Sequence, residues 1–369
     1  MKIAQVAPLY ESVPPRTYGG TERVVSYLTE ELVAQGHEVT LFASGDSVTA
    51  AQLIAPRKRA LRLDNDVFDP LAHHYVMLEE VFERALRFDV IHFHTDYLHF
   101  PLARRHPVPH LTTLHGRLDI PDLMPLYKKF SQMPVVSISN SQRTPLPRAN
   151  WQGTVYHGLP LDLYDCGEKP QDYLAFVGRI SPEKRLDRAI EIADRSGMRL
   201  RIAAKTDAAD RDYMEQVIKP ILSNSSAELI GEIGEKDKKQ FLANASALLF
   251  PIDWPEPFGL VIIEAMACGT PVIAFRRGSV PELIEEGITG YIVDDIEGAL
   301  QALRKIQDFD RRRCRQVFEE RFSAARMAQD YLTLYRQAIK ASADHDARIA
   351  FAALHSDTLE GTIDYQIEK

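Results

Sequence analysis

PEPFGLVIIEAMACGTPVIA, running from Pro255 to Ala274, sets two glutamates, Glu256 and Glu264, around a glycine at the start of a helix. Pro257 is excluded from a helix interior, Gly259 lets backbone come close to a ligand, and IIEAMA reads as helix until Gly269 and Pro271 stop it. The first turn leaves the N–H groups of Phe258, Gly259 and Leu260 unpaired, and with the helix dipole they favour an anion. Glu264, further along the same helix, can accept hydrogen bonds from vicinal hydroxyls such as ribose offers. Glu256, just before the helix, can reach a sugar on the other side of the phosphates. The stretch has the outline of a phosphate and ribose site.

Taken alone, Glu264 would be a solvated helix residue and Glu256 a loop acid. The apolar run VIIEAMA argues otherwise, because an ionised side chain inside it is costly unless something pairs with it. A paired-carboxylate hydrolase is the sharper rival. Eight residues of helix rise roughly 12 Å, however, more than the roughly 5–9.5 Å between glycosidase carboxyls, although a bend at Pro257 would shorten the span.

The sequence here resembles the family-four retaining glycosyltransferases of GT-B fold, which share a Glu, seven residues, Glu element followed by a helix and a Gly-Thr-Pro turn. The resemblance extends to IAQVAPLY and YGGTERVVSYLTEELVAQGHEVTLFAS at the start and to IHFHTDY, TTLHG and SISNSQR in the middle. It continues through FVGRISPEKRLDRAI and GSVPELIEEGITGYIV to FSAARMAQDYLTLY, and so covers most of the chain up to about Ile339. It implies an α/β protein of two doubly wound, Rossmann-like domains facing across a cleft.

Length and composition are compatible with that fold. A chain of 369 residues exceeds one ordinary core. A formal charge of -8 gives no general pull toward nucleic acid, and no nucleic-acid partner is expected. Basic clusters at Arg57–Arg62, at Arg104 and Arg105, and at Arg311–Arg315 read as solvated faces, one of which an enzyme of lipid-linked sugars could set against anionic headgroups. Peripheral membrane contact is thus part of the expectation. Cys166, Cys268 and Cys314 form no close pair and suggest a reducing compartment. With no secretory signal and no apolar run long enough to span a bilayer, the expected location is cytoplasmic, at the inner face of the membrane where membrane contact is made.

The order of elements supplies the architecture. Lys2–Pro8 reads as a buried strand, Thr21–Gln35 as an amphipathic helix closed by Gly36, and Glu38–Ala43 as the next strand. Short apolar runs at Val90–Phe93, Leu111–Leu114, Val135–Ile138 and Thr154–Tyr156 continue an alternation that implies a parallel sheet covered by helices. A second series starts at Leu174–Val177 and passes through Leu200–Ala204, Glu228–Ile230 and Ala247–Phe250 to the helix with Glu264. His157–Asp172, rich in Gly and Pro, reads as the linker. The expected division is 1–165 for an acceptor-binding domain, 166–321 for a nucleotide-sugar donor domain, a helix at 322–340 packing back on the first, and an extension at 341–369 of unknown role.

Loops at strand ends carry the remaining candidates. Arg179 and Lys184 fall five residues apart in a loop opening a helix, a natural way to aim two cations at a diphosphate, and in the family this pair binds the donor phosphates. Tyr18-Gly19-Gly20-Thr21 lies between the first strand and helix but lacks the full dinucleotide pattern; by resemblance it borders the diphosphate, with Gly20 its key residue. His115 in TTLHG would sit near the anomeric carbon by resemblance, and Asp96, closing IHFHTD, near the acceptor. GEIGEKDKKQF resembles the family segment that holds the base, with Ile233 presenting its peptide group and Glu235 and Lys238 nearby. Lys205 stands where relatives often carry glycine.

The resemblance therefore implies transfer of a sugar from a nucleoside-diphosphate donor to a hydroxyl with retention, the leaving phosphate taking the acceptor proton. Glu256 would orient the sugar and Glu264 the ribose. His92, His94 and His99 invite a metal reading, and Asp64-Asn65-Asp66 and Asp344-His345-Asp346 spell Asp-x-Asp, but neither triplet follows a strand in a suitable context. No cofactor and no metal is expected. UDP-glucose is the first donor expected and GDP-mannose the second, with a saccharide or lipid-linked acceptor in cell-surface or exopolysaccharide synthesis. A GT-B phosphorylase or nucleotide-sugar epimerase, and a non-catalytic nucleotide-sugar-binding module, remain as alternatives.

Overall fold

The computed structural model of the chain describes residues 1–16, 19–167 and 169–360. Tyr18 of the glycine turn, the side chains of His345 and Asp346, and the last nine residues of the tail lie outside the described residues. The first half forms a seven-stranded sheet of β1 (Lys2–Val6), β2 (Glu38–Phe42), β3 (Gln52–Ile54), β4 (Val90–Phe93), β5 (His110–Thr113), β6 (Pro134–Ser137) and β7 (Asn150–Thr154). The second half forms a six-stranded sheet of β8 (Tyr173–Arg179), β9 (Arg199–Lys205), β10 (Glu228–Gly231), β11 (Ala247–Phe250), β12 (Val272–Phe275) and β13 (Gly290–Val293). Spatial order is β3-β2-β1-β4-β5-β6-β7 in one and β10-β9-β8-β11-β12-β13 in the other. Every pairing is parallel, so each sheet is doubly wound, with its strand order reversing between β1 and β4 and between β8 and β11.

Strand alternation splits the first core in two. Ile3 and Val90 face the helix Gly20–Ala34 through Val24 and Leu28, whereas Ala4, Val6, Ile91 and Phe93 face the helix Pro70–Glu83 through Met77, Leu78 and Val81. In the second sheet Leu174, Phe176 and Ile202 cover the helix Leu186–Ser196, while Ala175, Leu248 and Ala274 pack beneath the helices Leu260–Ala267 and Arg311–Arg321. Such strands are buried on both faces, which is why they read as near-continuous apolar runs.

The helix Ala324–Glu360 starts after the second sheet and packs on the first, burying Met327, Tyr331, Leu332 and Tyr335 among Ile3, Val90 and Leu111. It continues as one helix through residue 341, where the sequence suggested an extension. The two crossings between the halves run side by side. Leu159 N–H donates to the Phe322 carbonyl over 2.9 Å and Ala324 N–H to the Leu159 carbonyl over 2.8 Å. A Cβ on Gly158 would fall 2.2 Å from the Ser323 carbonyl oxygen, so only glycine fits there.

One strand and one basic cluster differ from expectation. The last strand of the first sheet is Asn150–Thr154 rather than Thr154–Tyr156, because its pairing with β6 shifts register between Val135 and Val136 and takes in Trp151 and Gly153. Among the basic clusters, Arg311–Arg315 is a solvated face only in part: Arg312 is exposed, but Arg311 and Arg315 turn inward. Arg311 is buried and donates to the carbonyls of Gly167, Ala243 and Ala245, and Arg315 to those of Leu161, Tyr164 and Ala267, where the cations satisfy backbone oxygens that would otherwise lack partners.

Candidate active site

The carboxyl ends of both sheets open on one cleft of about 670 Å³. Gly20, Asp96, His115, Arg179, Lys184, Ile233, Lys238, Glu256, Phe258, Gly259, Leu260 and Glu264 all line it, although they come from distant parts of the chain. Glu235 does not. It stands behind the wall, paired with Arg23 and accepting from the Tyr164 hydroxyl, with Lys238 Nζ 3.4 Å away. Burial works against its charge, but Lys238 and then Arg23 outweigh burial and hold its carboxyl below the usual range.

The helix Leu260–Ala267 begins later than the sequence suggested. Gly259 caps it in left-handed backbone (φ 87°), and a Cβ there would press to 3.1 Å from Ile262 Cδ1 and 3.3 Å from Phe250 Cζ. Glu256 consequently sits in the preceding loop, so the rise of eight helical residues does not measure its separation from Glu264. The glycine turn of the first half meets this cap directly, since the Cβ position of Gly20 lies 3.5 Å from Leu260 Cδ1. Two helix N-termini, those of Gly20–Ala34 and Leu260–Ala267, therefore converge at the cleft and favour negative charge between them.

Cations flank that point. Lys184 pairs with Glu256, which also accepts from the Trp254 indole N–H over 3.0 Å, and the ammonium lies 5.0 Å from the Trp254 ring centroid. Arg179 pairs with Glu183 and lies 3.3 Å from Asp210 and 3.6 Å from Asp207, and Lys205 lies 3.1 Å from Asp207. Glu264 is buried, and its carboxylate accepts from Lys238 Nζ over 2.7 Å. The wall so built is rich in charge on both signs, and each cation is held in place by carboxylates.

The first half supplies a cluster of neutral histidines beside a few charged groups. His115 Nε2 lies 2.9 Å from His94 Nδ1, and the His115 ring stacks on His157 at 5.3 Å between centroids. Burial drives His115 down to about 3 and His94 and His157 well below the ordinary imidazole value, so all are neutral near pH 7. Asp96 carries positive φ (50°) and is exposed on the cleft wall, where desolvation by the surrounding protein raises its carboxyl to about 6. His92 is buried beneath the cleft and His99 stacks on Phe93 at 3.7 Å. Among the described residues no group of three or more His, Cys, Asp or Glu side chains is placed to hold a metal ion. Sequence reasoning missed Arg23, His94 and His157 as cleft residues; IHFHT and VYHG at strand ends were the signals for the two histidines.

Two family models match in tandem, "Glycosyltransferase Family 4" over residues 18–149 and "Glycosyl transferases group 1" over residues 167–315. The chain belongs to the family-four glycosyltransferases of GT-B fold. This glycosyltransferase is 25% identical to spore coat protein SA of Bacillus subtilis across 91% of its own length and 100% of that protein's. It is 24% identical to α-maltose-1-phosphate synthase of Mycobacterium tuberculosis, covering 90% of this chain and 99% of the synthase. Its fold matches that of Anabaena HepE, whose structure was solved in complex with UDP and glucose, with a TM-score of 0.69 at 19% identity over 91% and 100% of the two chains. The glycosyltransferase thus uses a sugar donor. No described helix of it is long and apolar enough to cross a membrane.

Proposed function

We propose that this glycosyltransferase moves a sugar from a nucleoside-diphosphate donor to a hydroxyl of a saccharide or lipid-linked acceptor, with retention of anomeric configuration and without a metal ion. The observation that carries the reading is the meeting of Lys184, Arg179 and the helix start at Leu260 on one cleft wall, with Glu264 buried farther along the same helix. Lys184, Arg179 and the unpaired N–H groups stabilise charge developing on the departing diphosphate, in a site whose dipoles are already oriented. Glu264 receives the ribose hydroxyls, and the Ile233 backbone meets the base. Glu256 orients the transferred sugar from the loop beside Lys184. Asp96 and His115 face the acceptor from the first half, so 1–165 is the acceptor side and 166–321 the donor side.

Retention follows in this reading from same-face attack, the leaving phosphate accepting the acceptor's proton while the neutral histidines leave that proton alone. UDP-glucose is the donor proposed first, supported by the fold shared with a protein solved with UDP and glucose, and GDP-mannose second. The setting proposed is cell-surface or exopolysaccharide synthesis in the cytoplasm, at the inner face of the membrane when the acceptor is lipid-linked. The free state of Cys166, Cys268 and Cys314 suits a reducing compartment.

Calorimetric titration with UDP and GDP, followed by product analysis with UDP-glucose and GDP-mannose in excess EDTA, tests the proposal. Expected are preferential UDP binding, an α-configured product and turnover that survives chelation. An inverted product, or activity lost to EDTA and restored by magnesium or manganese, would overturn the retaining or the metal-independent part.

A further inference from the structure

A single file of buried hydrogen bonds runs from the C-terminal helix to the cleft. Gln5 Nε2 donates to the Tyr335 hydroxyl over 3.0 Å, and Gln5 Oε1 lies 2.8 Å from His94 Nε2. His94 Nδ1 in turn lies 2.9 Å from His115 Nε2. Gln5 and Tyr335 are fully buried and His94 nearly so. A neutral imidazole carries one N–H and one lone pair, so each link fixes the next. An amide oxygen only accepts; His94 therefore holds its proton on Nε2 and presents a bare Nδ1. That lone pair requires His115 to donate from Nε2, which leaves His115 Nδ1 bare. His115 Nδ1 is buried and has no hydrogen-bond partner among the described residues, although the ring itself lines the cleft.

The other arm of the file is equally ordered. Tyr335, accepting from Gln5, donates to His92 Nδ1 over 2.7 Å; His92 then donates from Nε2 to Thr113 Oγ1 over 2.7 Å, and Thr113 Oγ1 and the Tyr331 hydroxyl share a hydrogen bond of 2.8 Å in which either can donate. Both ends of the Gln5 amide are thus committed. Turning that amide over would reverse every bond and move the His115 proton to Nδ1.

We infer that Gln5, anchored by Tyr335 of the returning C-terminal helix, is a positioning residue that fixes the tautomer of His115 through His94, so that the buried Nδ1 of His115 is a bare lone pair rather than an unpaired N–H. The inference rests on the glycosyltransferase reading only for its consequence in turnover: a His115 ring with no orphaned buried donor keeps its seat in the cleft wall beside the transferred sugar. It also gives the C-terminal helix a part in the site that it never touches. Outer partners that fix a histidine's tautomer are worth roughly 10–100-fold where they have been measured in metal sites, and an effect of that order is expected here.

Nitrogen-15 spectra of the full chain labelled at histidine, with His115 assigned by its absence in His115→Gln, read the tautomer directly. Wild type should show His115 protonated on Nε2 and bare at Nδ1 at pH 7. Gln5→Met should mix the tautomers and lower kcat for UDP release from UDP-glucose roughly 10–100-fold with KM little changed, while Gln5→Glu, protonated at this buried place and so still one donor and one acceptor, recovers the tautomer and most of kcat. Tyr335→Phe, which frees the amide to turn, should mix the tautomers without touching Gln5 and serves if the methionine variant does not fold. A wild-type His115 protonated on Nδ1 overturns the inference, as does a Gln5→Met or Tyr335→Phe enzyme with wild-type tautomer or wild-type kcat. If sugar transfer itself is absent, the tautomer measurement still decides the relay, so the two readings fail separately.

Discussion

Lys238 Nζ lies 2.7 Å from Glu264 Oε1, joining the helix Glu235–Ala243 to the helix Leu260–Ala267 with little of either side chain exposed. A buried carboxylate is tolerated in VIIEAMA because this ammonium answers it. The pair uses one carboxylate oxygen, and in the proposed function the second is the one that receives ribose hydroxyls.

Glu264→Gln should accordingly weaken free nucleotide by about 1.5–3 kcal/mol, the worth of a hydrogen bond to a charged group. Glu256→Gln should leave nucleotide affinity nearly unchanged and depress transfer, since the proposed function has Glu256, beside Lys184, orient the sugar. Calorimetry of both variants with UDP separates the roles, and equal losses would show them confused.

Arg179 and Lys184 are each locked to carboxylates, Arg179 to Glu183 and Lys184 to Glu256. They are positioned before the diphosphate arrives rather than reorganising around it, which is the condition under which electrostatic stabilisation lowers a barrier. Replacing either with Ala should remove roughly 2–4 kcal/mol of transition-state stabilisation, seen mainly in kcat. Wild-type turnover in the double variant would sink the assignment.

The parts of this site that were legible in the sequence are those written locally. Gly259 and Pro257 announced the helix start, the strand-end position of TTLHG announced His115, and the Arg179–Lys184 spacing announced a cationic loop. What was hidden depends on chain crossings. Arg23 and Glu235 meet across 212 residues, and Gln5 and Tyr335 across 330, distances over which no periodicity carries information. The same limit explains Glu235, whose local helix looked like part of the base pocket but whose charge is taken by Arg23. Strand β3 escaped notice because a three-residue edge strand is too short for an alternation to repeat.

Burial sets the acid limit of the protein. His92, His94, His99 and His157 are pushed well below the ordinary value, chiefly by desolvation, while the unfolded chain takes up protons near pH 6.5. Their contribution to stability is full above about pH 6.5 and is lost as pH falls from there toward the folded-state values, because only the unfolded chain binds the protons in that window. Each such histidine adds about 1.4 kcal/mol per pH unit to the slope. His99→Gln, which removes a ring stacked on Phe93 and bonded to Thr112 over 2.8 Å, should lower the slope by one such share between about pH 4.5 and 6. Denaturant melts across that range would show it, and an unchanged slope would mean that His99 is charged in the folded protein.

The final prediction concerns the returning helix. Met327, Tyr331, Leu332 and Tyr335 are buried against the first sheet, and Tyr335 and Tyr331 supply hydroxyls to Gln5, His92 and Thr113. Ending the chain before Phe322 deletes all of these and leaves Gln5 and His92 short of partners. Losing one large buried side chain costs about 2–5 kcal/mol, so losing several exceeds the roughly 5–15 kcal/mol that holds an ordinary domain folded. The truncated chain should fail to show the cooperative melt of its first half, although no residue proposed to act in the cleft has been removed. Tyr335→Phe is the milder counterpart: it keeps the ring, orphans the Gln5 amide donor and His92 Nδ1, and should cost about 1–3 kcal/mol. A truncated chain that melts like the full one would mean that the first sheet holds its core without the helix, and would reject the packing account outright.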